Sequence, residues 1–233
     1  MFWIVIAVLV WLGFAVGANW VLDNPRGDLS GGVAFRFVRV YARVVHRLEV
    51  VGLEHVPKAR RAGPLIVIAN HTAGVDPLLI QAVCPFEVRW MMMRTMMIPA
   101  ADWFWEWAGI IAVGGGKDSL SAREAIAHVK DGGVLGIFPE GGIERPPGML
   151  KPFQPGLGLI VARSGAKVLP VVITGTPQVD PAFASLWRMS RSRVEFKPVM
   201  DLGGMKAGAI AGMLQTKYEE WTGWKTGEAA GVG

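Results

Sequence analysis

Short apolar runs alternate along this chain with longer stretches of helical pattern, and that alternation restricts the fold more than any other feature. Leu65-Ile66-Val67-Ile68-Ala69, Val134 to Phe138 and Val168 to Ile173 are apolar throughout, without the polar alternation of a half-exposed strand. Such strands are buried on both faces, the mark of a parallel sheet enclosed by helices. Along the chain we read strands near Glu49–Leu53, Leu65–Ala69, Glu87–Met93, Ile110–Val113, Val134–Phe138, Lys167–Thr174 and Arg193–Pro198. Between and after them come helices at Pro77–Val83, Met96–Ala108, Ser119–Lys130, Gly156–Ser164 and Met205–Trp221. The pattern predicts an α/β fold, a largely parallel mixed sheet covered by helices on both faces. Gly141–Pro155 and Gln178–Ser192 read as long loops.

Two of these strands run straight into motifs with chemical content. Leu65–Ala69 leads into Asn70-His71-Thr72-Ala73-Gly74-Val75-Asp76, and Val134–Ile137 leads into Phe138-Pro139-Glu140-Gly141. Ligands of α/β sheets gather beyond the carboxyl ends of the strands, so the two motifs share one mouth if their strands are neighbours. A neutral imidazole takes a proton from an alcohol when its other nitrogen donates to a fixed acceptor. Asp76 is the candidate acceptor for His71, and its place before Pro77 also reads as a helix N-cap. No serine stands in a G-x-S-x-G turn, and Cys84 lies in an apolar segment with no histidine nearby. The chain thus offers a base without a nucleophile of its own. A substrate hydroxyl then becomes the nucleophile, and a thioester, with its good leaving group, is a fitting electrophile. His46, His55 and His128 read as surface or packing histidines without partner residues, and no metal-ligand cluster stands out.

With these two motifs in this order, the stretch from Val50 to Val199 resembles the glycerolipid acyltransferases typified by lysophosphatidic acid acyltransferase. The resemblance implies that His71 is the general base and Asp76 its partner. It implies that Phe138, Pro139, Glu140 and Gly141 help bind the acceptor. The proline-bearing block Val168–Ile173 and the segment Phe153-Gln154-Pro155-Gly156 look like further family blocks. The implied activity moves a fatty acyl group from acyl-CoA or acyl carrier protein to a hydroxyl of a lysophospholipid or related lipid. It uses a co-substrate and no cofactor. Two departures concern family arginines, one that the resemblance implies for holding an acceptor phosphate and one that commonly follows F-P-E-G. Glycine near Gly115 and Ile143 stand in their places, and the nearest cations, Lys117 and Arg145, are candidate substitutes as well as ordinary loop charges. The run Gly114-Gly115-Gly116 reads either as a flexible turn or as a backbone cradle for phosphate at a helix start. Ser121-x-x-Glu124 just beyond it resembles a capping box.

Met1 to Leu22 carries no charged side chain. As a helix it would extend about 33 Å, enough for a bilayer core, with Trp3 and Trp20 near its ends. A cleaved signal peptide and a buried helix are the competing readings. From Gly32 to Leu48, Arg36, Arg39, Arg43 and Arg47 recur at helical spacing beside apolar residues, which suits a helix lying on anionic lipid or on the globular domain. Positive charge directly after an apolar span argues for the cytoplasmic side.

At 233 residues the chain has room for one catalytic domain and an anchor. We divide it into an anchor and amphipathic helix at 1–48, an acyltransferase domain at 49–226 and a disordered tail at 227–233. The formal charge of +5 fits acidic partners such as anionic lipids and coenzyme A, and calls for no nucleic acid. One cysteine excludes an internal disulfide. Trp103, Trp105 and Trp107 read as an acyl groove, an interfacial patch or ordinary core. A non-catalytic lipid-binding protein and a thioester hydrolase remain as alternative functions.

Overall fold

Leu65–Ala69 is buried along its whole length, the only setting in which five successive apolar residues of a strand all avoid water. A computed structural model describes residues 1–116 and 118–227. The helices are α1 (Phe2–Leu22), α2 (Leu29–Val44), α3 (Asp76–Val83), α4 (Asp102–Trp107), α5 (Asp118–Lys130), α6 (Pro155–Ser164) and α7 (Ala207–Thr222). The strands are β1 (Glu49–Val51), β2 (Leu65–Ala69), β3 (Arg89–Met93), β4 (Ile111–Val113), β5 (Val134–Ile137), β6 (Met149–Leu150), β7 (Lys167–Thr174), β8 (Arg193–Phe196) and β9 (Lys225–Thr226).

Seven strands form one sheet in the order β1-β8-β7-β2-β5-β3-β4. β2 lies centrally, parallel to β7 on one side and to β5 on the other. β3 and β4 continue the parallel set, while β8 pairs antiparallel with β7 and carries β1 along. The sheet is therefore mixed and largely parallel. Alternate residues of each strand feed opposite layers. Leu65, Val67 and Ala69 pack with Leu169, Val171 and Ile173 and with Leu79 and Ile80 of α3. Ile66, Ile68, Leu135 and Ile137 pack with Ala125 of α5, Ile160 of α6, and Ile210, Leu214 and Tyr218 of α7.

Two side chains complete the join between β2 and β7. The Asn70 amide donates to the Ile173 carbonyl at 2.9 Å and accepts from the Ile173 N–H at 2.8 Å, continuing the ladder where β2 ends. Two residues earlier, the Tyr218 hydroxyl accepts from the Val171 N–H at 3.1 Å and donates to the Ile68 carbonyl at 2.6 Å. The hydroxyl is thus a wedge between the two strands, beside Pro170, which has no N–H to offer.

Several expectations need correction. Met96–Ala108 is not one helix. A 3₁₀ turn at Arg94–Met96 ends where the helix was expected to begin and another at Pro99–Ala101 precedes α4, because proline drives the preceding Ile98 into an extended conformation. Ser121 does not head a capping box: α5 begins at Asp118, and the Ser121 hydroxyl donates to the Ala112 carbonyl at 2.6 Å. The arginine stripe of α2 does not face outward as a unit. Arg36 donates to the Trp20 and Asp23 carbonyls and Arg39 to the Ala82 carbonyl, while Arg47 lies past the helix with a positive φ. Alongside the exposed Arg39 and Arg43, α2 presents an apolar row, Leu29, Val33, Phe37, Val40 and Val44. His46 has partners after all: its ring nitrogens meet Ser190 Oγ and Tyr41 Oη, each at 2.8 Å, and it is fully buried.

No residue of α1 is buried, which excludes the buried-helix reading, and α1 is long and apolar enough to cross a membrane. From residue 228 the expected disordered tail lies outside the described residues.

Candidate active site

Because β2 and β5 are direct parallel neighbours, the loops that leave their carboxyl ends emerge side by side. His71 Nδ1 lies 3.0 Å from Asp76 Oδ2. The Asp76 side chain is fully buried, and the same Oδ2 accepts from the N–H groups of Thr72 at 2.7 Å and Ala73 at 2.8 Å. Those bonds correct the N-cap expectation. Asp76 is the first residue of α3, and its carboxylate turns back to the preceding loop, where it closes the turn that presents His71. Carboxylate oxygens only accept, so the imidazole proton resides on Nδ1 and the lone pair on Nε2. Thr72 Oγ1 reaches Asp76 and, by a short hydrogen bond, Thr176 beyond the end of β7.

Glu140 is buried beneath His71. Its Oε1 accepts from the His71 N–H at 2.7 Å and its Oε2 from the Lys151 N–H at 2.9 Å. Burial pushes its carboxyl up to about 7, against the pull of those two amides. Both oxygens therefore engage the protein's own backbone. Gly141 has φ 69°, the left-handed conformation that the turn after Glu140 requires. Pro139 lends its carbonyl to the Gln154 N–H at 2.8 Å, which draws the loop before α6 against the motif.

Phe138 stacks on the His71 ring, centroids 4.0 Å apart and planes 17° apart. Its other face stacks on Trp90 of β3, at 4.9 Å and 14°. Trp90 is a site residue that sequence reading missed. It belongs to no motif, and only strand order brings β3 beside β5.

The second residue missed is Glu144. Its N–H donates to the His71 carbonyl at 2.9 Å, and its fully buried carboxyl has Gln178 on one oxygen at 2.9 Å and, among the described residues, no hydrogen-bond partner on the other. Burial, then the neighbouring Glu140, push it up to about 8.

The two candidate cations fare differently. Arg145 donates to the Glu144 and Val179 carbonyls and pairs with Asp180 at 3.1 Å, so it tethers this loop to the segment after β7. Lys117 lies outside the described residues. In the glycine run, the Gly114 N–H meets the Asp118 carboxylate at 2.8 Å, so an acid of the chain itself stands at the start of α5. Among the described residues no group of three or more His, Cys, Asp or Glu is arranged to hold a metal ion.

The assembly is an imidazole hydrogen-bonded to a buried aspartate at the end of β2, with Phe138 stacked on its ring. The chain is 31% identical over 135 residues to a 1-acyl-sn-glycerol-3-phosphate acyltransferase of Borreliella burgdorferi, covering 56% of this chain and 52% of that protein. It is 24% identical over 165 residues to the chloroplastic 1-acyl-sn-glycerol-3-phosphate acyltransferase BAT2 of Brassica napus, covering 69% and 47%. The chain thus spans about half the length of these curated relatives. Its fold resembles the crystal structure of the 1-acyl-sn-glycerophosphate (LPA) acyltransferase of Thermotoga maritima, with a TM-score of 0.65 at 22% identity over 82% of this chain and 77% of that one. The Acyltransferase family model matches residues 47–174, which take in both strand-end motifs and more than half the chain, and the chain belongs to that family.

Proposed function

We propose that this chain is a membrane-bound O-acyltransferase that moves a fatty acyl group from an acyl thioester, on coenzyme A or acyl carrier protein, to a hydroxyl of a lysophospholipid or related lipid. The observation that carries the reading is the His71–Asp76 hydrogen bond at the carboxyl end of β2, beside the motif that ends β5.

The acceptor hydroxyl gives its proton to His71 Nε2 as its oxygen bonds to the thioester carbonyl carbon. The buried Asp76 carboxylate supports the imidazolium that forms. The carbon–sulfur bond then breaks, and the imidazolium returns the proton to the departing thiolate. Glu140 holds the backbone of His71 in place while Phe138, Pro139 and Gly141 shape the floor on which the acceptor rests. α1 anchors the protein in the bilayer, and the apolar row of α2 lies against the membrane surface on the cytoplasmic side, where the acceptor is within reach.

Purified protein incubated with labelled acyl-CoA and a mixed lysolipid extract should yield a labelled diacyl product, identified by mass. His71→Ala should lower turnover by about 10²–10⁴ with the fold intact. Unchanged transfer in that variant refutes the mechanism, and labelled free fatty acid formed at one rate with or without acceptor marks a hydrolase instead.

A further inference from the structure

We infer that Trp90 and Phe138 form an aromatic shelf that sets the plane of the His71 ring, with Gly136 as the seat that holds the shelf in register. Trp90 is then a positioning residue, and the inference rests on His71 being the base of the reaction proposed above.

The argument begins with strand register. Trp90 of β3 stands opposite Gly136 of β5. A Cβ at position 136 would lie 2.4 Å from Trp90 Cε3, and real Cβ atoms do not approach that closely. Glycine there lets the indole lie flat across β5. Phe138 comes two residues further on and emerges on the same side, because side chains alternate along a strand. Its ring covers the indole, and the imidazole covers the phenyl, so three rings stack in sequence with interplanar angles of 14° and 17°. The end of the stack is anchored, since Trp90 is buried.

Asp76 and the shelf control different freedoms of the ring. The hydrogen bond on Nδ1 fixes a direction within the imidazole plane and leaves the ring a limited pivot about that bond, through coupled changes of χ1 and χ2. The stack removes the pivot, and Nε2 then points along one line. A misplacement of about 1 Å in a reacting group can lower a rate about a hundredfold. The phenyl face also attracts the positive charge that the imidazole acquires as it takes the proton.

The test is kinetic, in detergent-solubilised full-length protein, with acyl-CoA and whichever lysolipid the unmodified chain acylates. Trp90→Leu should lower kcat about tenfold or more and leave KM for the acceptor within about twofold, since a disoriented base harms the transition state and not binding. Trp90→Phe, which restores a flat ring, should recover most of the loss. Gly136→Ala should reproduce the loss in the native background and add little in the Trp90→Leu background, because the clash partner is gone. Phe86→Leu is the control. Phe86 is fully buried in the same layer, before the amino end of β3, so its truncation should lower the melting temperature and spare kcat.

An unchanged kcat in Trp90→Leu overturns the inference. So does a loss that Trp90→Phe fails to recover, or one that Phe86→Leu matches. If His71→Ala abolishes transfer while Trp90→Leu does not impair it, the shelf fails and the proposed function stands. If His71→Ala retains transfer, the proposed function fails first.

Discussion

At the scale of single residues, Asp76 takes up Nδ1 of His71 and leaves Nε2 for the proton transfer proposed above. Asp76→Asn replaces one acceptor oxygen with a donor amide, so Nδ1 and the Thr72 and Ala73 amides compete for what is left. Steady-state kinetics should show kcat lower by about 10²–10⁴, with a cooperative melt retained. This pair was legible in the sequence because both members lie within one loop, where spacing alone constrains distance. Glu140 was legible as a site residue but not in its bonding. Nothing in F-P-E-G says that its oxygens meet the N–H groups of His71 and Lys151, since that depends on β2 being its neighbour. Glu144 was invisible for a related reason: burial, not residue type, makes it unusual. Its carboxyl binds its proton more tightly folded than unfolded, so it stabilises the fold most below its ordinary carboxylate range. That contribution is lost as pH rises through about 8, with Glu140 acting in the same direction through about 7. Thermal stability should therefore fall as pH rises from about 5 to 8, by at most about 1.4 kcal/mol per pH unit for each carboxyl. Glu144→Gln should flatten that slope in melts recorded across the range, and an unchanged slope would exonerate Glu144.

At the scale of elements, the site depends on how β2 is held to its neighbours. Continuous apolar sequence made β2, β5 and β7 legible, because each run is too short for a buried helix and is rich in branched aliphatic residues. The segment from Met96 to Ala108 was misread because its tryptophans, phenylalanine and methionines suit a helix. Pro99 was the visible warning that the helix could not run through. Neither composition nor periodicity foretells that a side chain will replace backbone in a ladder, which is what Asn70 does for β7. Asn70→Ala leaves the N–H and carbonyl of Ile173 buried without those partners. It should cost about 2–4 kcal/mol in urea denaturation, well beyond the loss from an exposed asparagine. Because His71 follows directly, the same variant should also lower kcat.

At the scale of the whole molecule, the apolar amino-terminal helix and the globular part meet over a small area. α1 buries none of its residues, and its links to the rest lie at its end, where Val21 packs against Gly32 and Trp20 stacks on Arg36. Deleting residues 1–18 should thus leave the melting temperature of the remainder within about 3 °C, the shift expected from about 1 kcal/mol in a chain of this size. It should also abolish sedimentation with phosphatidylglycerol vesicles. Retained sedimentation would assign membrane binding to α2 alone. At the other end of the chain the dependence is reversed. The Tyr218 hydroxyl belongs to α7, yet it stitches Ile68 to Val171 one strand-end away from His71. During synthesis, a polypeptide halted before that tyrosine leaves the ribosome already carries histidine, aspartate and glutamate but lacks this stitch between β2 and β7. The order of translation thereby leaves the join beneath the proposed site one link short until almost the last turn of α7 has emerged.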